Sequence, residues 1–222
     1  MDSKRTINIK FYTLLSSEKM RQSIPPKVFN KLIEISDDVN TEVTVCPISP
    51  HTRSFKYKLS HHTRRKISSI LGKELKASSM QLGVAYYIIE SNEGTKNALK
   101  FLQSVSEYDT PPTESQLEFE LNAVDSDVDI ESEYREALKN KKFVEKITTN
   151  TEQYRFELRN STAHNTRIEQ MPYIFINNQP TIVNSANDLT KSAMKQFFAE
   201  YIKENGSDGE DENGDDTQPK QK

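Results

Sequence analysis

Few residues in this 222-residue chain carry chemistry by type and spacing. Cys46 is the only cysteine, so an intramolecular disulfide, a C-x-x-C redox couple and a cysteine-rich zinc site are all excluded. Cys46-Pro47-Ile48-Ser49 does spell C-x-x-S, the spacing of a monothiol exchange site. The plainer reading is a half-buried cysteine at a strand end, because reactivity requires an exposed, electropositive site. Ser16 and Ser17 precede a helical pattern. Ser16-Ser17-Glu18 reads as a polar helix start or turn, and a serine hydroxyl there caps a helix. His61 and His62 are neighbours that share no helix face, and neither they nor His51 have a ligand partner at metal spacing, so no metal site is expected. His164 lies near a helix end, where it serves as a C-terminal cation. Arg53, Lys56, Lys58, Arg64, Arg65 and Lys66, interleaved with Phe55 and Tyr57, form a basic stretch of the kind that meets nucleic acid or an acidic partner. No glycine-rich phosphate loop, G-x-S-x-G or H-E-x-x-H occurs.

The elements that must position these residues follow from periodicity. Thr6–Leu14, with Ile7, Ile9, Phe11 and Tyr12, reads as a buried strand. Pro25-Pro26 open a helix whose apolar face is Val28, Phe29, Leu32, Ile33 and Ile35. Glu42–Cys46 is a second strand, and a strand–helix–strand start implies a parallel pair. Helical patterns then cover Leu59–Lys76, Ala77–Glu90, Thr95–Ser106 and a short helix from Pro111-Pro112 to Leu121. After an acidic break at Ser126–Ile130, one long helical stretch, straight or bent, is predicted over Glu131–Thr166. Tyr173–Asn177 returns to strand, Asn177-Asn178-Gln179 turns, and Pro180–Val183 pairs back as an edge. Asn187-Asp188 cap a final helix, Leu189–Lys203.

Composition bounds the function. Apolar residues are 34% and charged residues 28%, with a mean hydropathy of -0.77. The longest apolar run is six residues, Val84–Ile89, far short of the ~20 needed to span a bilayer, and the N-terminus lacks an apolar signal core. A cytoplasmic protein with no membrane partner is the expectation. The formal charge of -3 is unevenly spread. His51–Lys76 holds eight Lys/Arg, Glu107–Glu136 holds eleven Asp/Glu, and residues 205–222 hold six acidic residues against two lysines. That last segment has no large apolar residue and reads as a disordered acidic tail. A pI near 5.9 makes nucleic acid an unfavoured partner of the basic stretch.

Strands at both ends of the chain, with helices between, describe one sheet carrying a helical insertion. Met171-Pro172-Tyr173-Ile174-Phe175-Ile176-Asn177-Asn178, followed by a helix, resembles the cis-proline segment of the thioredoxin fold. The βαβ start and the position of the helical block resemble the DsbA-like branch of that superfamily, over roughly residues 6–203. The resemblance implies an α/β thioredoxin fold divided as 6–58 (first β-α-β part), 59–168 (helical insertion), 169–204 (cis-proline, β-β-α part) and 205–222 (tail). It also implies that Pro172 is cis and that the Met171 backbone pairs with an extended peptide or a small thiol compound.

Where DsbA-like proteins carry C-x-x-C after the first active-site strand, this chain has Ser16-Ser17-Glu18-Lys19, which excludes dithiol exchange. Phe11-Tyr12-Thr13-Leu14-Leu15-Ser16 also resembles the F-Y-x-x-x-S start of kappa-class glutathione transferases and hydroxychromene carboxylate isomerases, although Ser17 stands where that family has proline. By that resemblance Ser16 holds a glutathione thiolate, with Tyr12, Ser17, Met171 and Pro172 lining the site. A third arrangement treats Thr6–Leu14 as an extra N-terminal strand and makes Cys46 a monothiol nucleophile. The expectations are therefore a divergent binder of peptide or thiol compounds, a glutathione-dependent enzyme using Ser16 or a monothiol oxidoreductase using Cys46, and a basic-face binding module.

Overall fold

The computed structural model describes residues 6–14, 26–37, 41–49, 74–160, 173–181, 187–192 and 195. Its strands are β1 (Ile7–Thr13), β2 (Thr41–Pro47), β3 (Tyr173–Ile176) and β4 (Gln179–Thr181). Its helices are α1 (Pro26–Ser36), α2 (Ser79–Ser106), α3 (Glu114–Asn122), α4 (Ile130–Lys139) and α5 (Val144–Asn160), followed by α6 at 187–192. The sheet runs β2-β1-β3-β4. β1 and β2 are parallel, β1 and β3 antiparallel, and β3 and β4 antiparallel. The expected crossover start and edge hairpin are both present, and the insertion α2–α5 lies between β2 and β3 in the chain.

The two-residue alternation of strands divides the interior. Ile7, Ile9 and Phe11 of β1, Val43 and Val45 of β2, and Ile174 and Ile176 of β3 enter one core with Val28, Phe29 and Leu32 of α1. The Phe29 ring meets Phe11 edge-on at 5.9 Å. The intervening residues Tyr12, Cys46 and Phe175 point to the opposite face and form a second, smaller core with Tyr154 of α5. Pro26 at the first position of α1 suits a helix start, where no backbone N–H is needed.

The first half of α2 is buried on every side, from Ser79 to Ile89, and it is the central post of the insertion. Its start and that of α3 are paired. Ser78 and Gln81 make one capping box, Thr113 and Gln116 another. A short bridge joins them through Ala77 N–H to the Pro112 carbonyl and Glu114 N–H to the Leu75 carbonyl. The helical pattern over Leu59–Lys76 is thus corrected at its end: Glu74–Lys76 are not helical, because Lys76 pairs with Thr113. Residues 59–73 lie outside the described residues. Gly94, at φ 78°, interrupts α2 between the two predicted helices.

The long helix expected over Glu131–Thr166 is two helices. α4 ends in a left-handed cap: Lys141 has φ 56°, and Lys142 N–H reaches the Ala137 carbonyl at 2.9 Å. Phe143, also at positive φ, stacks on Tyr87 at 5.3 Å. The β3–β4 turn places Asn177 and Asn178 both at positive φ, the type I′ geometry that asparagine tolerates. Asn177 also brackets β1, donating its N–H to the Asn8 carbonyl and accepting the Asn8 N–H on Oδ1, each at 2.8 Å.

Among the described residues no helix is long and apolar enough to cross a membrane. The acidic segment 205–222, the basic stretch from Arg53 to Lys66, His51, His61, His62 and His164 lie outside the described residues.

Candidate functional site

β1 is an interior strand, flanked by β2 on one side and β3 on the other. At its C-terminal end, Tyr12 is the Cα partner of both Cys46 and Tyr173. β1 therefore ends at the same end of the sheet at which β3 begins. Ser16, Ser17, Met171 and Pro172 themselves lie outside the described residues. What the structure describes is the platform they attach to.

That platform is packed and polar in alternation. Tyr12 is fully buried, with Tyr154 at 5.1 Å and Phe175 edge-on at 5.7 Å. Burial, and then the charge of Glu157, push its phenol upward. Glu157 lies 3.6 Å from the Lys10 ammonium and accepts from Gln153 at 3.0 Å. Thr13, 2% exposed, has a hydroxyl with no hydrogen-bond partner among the described residues. Tyr12 thus supports the site from beneath. With its whole ring and hydroxyl covered, it has no surface to offer a substrate, which corrects its expected binding role.

The helix α5 holds the end of β2 in place. Asn150 donates its amide to the Pro47 carbonyl at 3.1 Å and to the Tyr87 hydroxyl at 2.7 Å. The Ser49 N–H donates to Thr151 Oγ1 at 3.0 Å, while that hydroxyl donates to the Ile147 carbonyl at 2.7 Å. Sequence reading singled out none of Lys10, Asn150, Thr151 or Glu157. A signal existed: Asn150 and Thr151 fall at i+3 and i+4 from Ile147, on the same apolar stripe as Tyr154, so a polar pair inside that stripe needed a buried partner.

Cys46 does not head a helix. It is inside β2, 7% exposed, and burial pushes its thiol up to about 12, against a smaller lowering by Lys10. A thiol in that state is almost wholly protonated at neutral pH and is poorly placed to attack. The arrangement that made Thr6–Leu14 an added N-terminal strand is corrected as well, since β1 is the interior strand to which both β2 and β3 pair. Among the described residues, no group of three His, Cys, Asp or Glu side chains is placed to hold a metal ion.

No protein-family model matches the chain, and no curated protein matches it in sequence. Solved structures do match by shape. The thiol-disulfide exchange protein alpha-DsbA2 of Wolbachia pipientis superposes with a TM-score of 0.53 at 10% identity, covering 88% of this chain and 84% of that one. The thiol-disulfide oxidoreductase MdbA of Corynebacterium diphtheriae gives 0.52 at 12% identity, covering 86% and 84%. Reduced DsbA of Mycobacterium tuberculosis gives 0.51 at 11% identity, covering 88% and 89%. The chain has the thioredoxin fold with a helical insertion, as DsbA-type proteins do. With one cysteine, the chain has no C-x-x-C motif in that fold.

Proposed function

We propose that this is a DsbA-like binding protein that holds an extended peptide or a small thiol compound at the C-terminal end of β1 and carries out no dithiol exchange. The observation that supports this reading is the shared pairing of Tyr12 with Cys46 and Tyr173. It joins the segments carrying Ser16-Ser17 and Met171-Pro172 to one end of the sheet. An extended ligand would add there by backbone hydrogen bonds beside Met171. The relatives of similar shape are named for thiol–disulfide chemistry, which needs an attacking thiolate and a second, resolving thiol. This chain has one cysteine, and it is buried in β2.

The test uses the full chain and a fluorescein-labelled, cysteine-free peptide of extended sequence, followed by anisotropy, with reduced glutathione as competitor. The expected result is saturable peptide binding that Pro172→Ala weakens and Cys46→Ser leaves unchanged. Oxidation of a dithiol peptide by the chain, lost in Cys46→Ser, would overturn the non-redox reading. Glutathione binding abolished by Ser16→Ala, with no peptide binding, would replace it with the glutathione-dependent alternative.

A further inference from the structure

We propose that the groove between α1 and α6 is the docking surface for the chain's own acidic segment, residues 205–222. The groove has a volume of about 560 Å³. Lys27 and Lys31 line it from α1 and Lys191 from α6, with the amides of Asn30 and Asn187 and the hydroxyl of Thr190 between them. Its one lining carboxylate, Glu34, is already engaged by Lys31 at 2.7 Å. Lys27 and Lys191 have no carboxylate partner among the described residues, so two ammonium groups from two different helices face one polar trough. Two unengaged lysines, a third shared with Glu34, and the amides of Asn30 and Asn187 suit a ligand that presents several carboxylates along an extended backbone.

The sequence supplies such a ligand within reach. Asp208, Glu210, Asp211, Glu212, Asp215 and Asp216 fall in a stretch with no apolar side chain to compete for burial. The acidic residues from Glu107 to Glu136 belong largely to α3 and α4 and to the turn between them. From Lys195, the last described residue, thirteen residues lead to Asp208. The segment is thus tethered close to α6 along the chain. Exposed ion pairs are individually worth only ~0–1 kcal/mol. The attachment is intramolecular, however, and a short tether gives an effective concentration on the order of millimolar, so a few such pairs suffice. The contact is electrostatic and therefore salt-sensitive. It is independent of what binds at the end of β1.

A nitroxide on Ser207→Cys of the full chain tests this, since the buried Cys46 leaves the introduced thiol as the one that labels. Amide resonances of α1 from Lys27 to Glu34 and of α6 from Asn187 to Lys195 are expected to broaden at low salt. They should recover at about 0.5 M NaCl, where screening shortens to ~4 Å. They should also recover in the triple variant Lys27→Gln, Lys31→Gln, Lys191→Gln, with resonances outside α1 and α6 unchanged. Absence of broadening in α1 and α6, broadening over the basic stretch Arg53–Lys66 instead, or broadening that persists in the triple variant would each overturn the proposal.

Discussion

Cys46 stands directly opposite Tyr12 in the parallel pairing of β1 with β2, and both side chains enter the same small core on the α5 face of the sheet. The thiol is therefore shielded by the residues that anchor the end of β1. With the thiol pushed up to about 12 from an ordinary value near 9, its thiolate fraction at pH 8 falls roughly a thousandfold, and alkylation slows at least as much. Iodoacetamide labelling of the native chain should be slower than that of the urea-unfolded chain by about that factor. Equal rates would mean that Cys46 is exposed and has an ordinary thiol.

The same burial makes stability pH-dependent, with a definite sign. The folded state keeps the Cys46 proton above the pH at which the unfolded state releases it, so the unfolded chain binds fewer protons in that window. Stability is then full below about pH 9 and falls as pH rises from there towards about 12. The limiting slope is about 1.4 kcal/mol per pH unit for one proton. The buried phenols of Tyr12, Tyr86 and Tyr87 are also raised, chiefly by burial, and they add to the loss only above about pH 10. Urea melts between pH 8.5 and 10 should show the decline in the native chain and a flatter profile in Cys46→Ala. Identical slopes would assign the alkaline loss to other groups.

The attachment of α5 to β2 is open to a single substitution. Replacing Asn150 by Leu keeps the branched shape but leaves the Pro47 carbonyl and the Tyr87 hydroxyl without their donor. Leaving buried polar groups unpaired costs about 1–3 kcal/mol, a drop in Tm of roughly 4–8 °C if the cost is about 2 kcal/mol in a chain of this size. Glu152→Gln, two residues along the same helix but exposed, should leave Tm unchanged. A Tm for Asn150→Leu within a degree of the parent would show that water replaces both bonds.

The sheet was legible because its cues are local. Alternation marked β1, the proline pair marked α1, and Asn177-Asn178 marked the turn that closes β3 on β4. The capping boxes at Ser78 and Thr113 also follow the sequence rule. The break between α4 and α5 was not legible, because Asn140-Lys141-Lys142-Phe143 contains neither glycine nor proline and the apolar stripe runs through it without a gap. The left-handed turns there are held by tertiary packing, Phe143 on Tyr87. The supporting polar pairs of the site were missed for a similar reason: Lys10 with Glu157 and Asn150 with Pro47 lie more than a hundred positions apart, and only the fold brings them together.

That break yields a stabilising substitution. Lys141 occupies the position just past the α4 cap at φ 56°, where glycine is usual because a Cβ in the left-handed region costs roughly 1–2 kcal/mol. Both bonds of the motif are made around it: Lys142 N–H to the Ala137 carbonyl at 2.9 Å and Lys141 N–H to the Leu138 carbonyl at 3.4 Å. Among the described residues Lys141 has no ion pair or side-chain hydrogen bond to lose, and its side chain is exposed. Glycine gains backbone entropy in the unfolded chain, which offsets part of the relief. The net gain expected for Lys141→Gly is about 0.5–1 kcal/mol, a rise in Tm of roughly 1–4 °C. Lys142→Gly, one residue on, removes a side chain from an ordinary conformation and should lower Tm instead. If both variants lower Tm equally, Lys141 is not in the left-handed region in solution, and α4 and α5 are joined by some other turn.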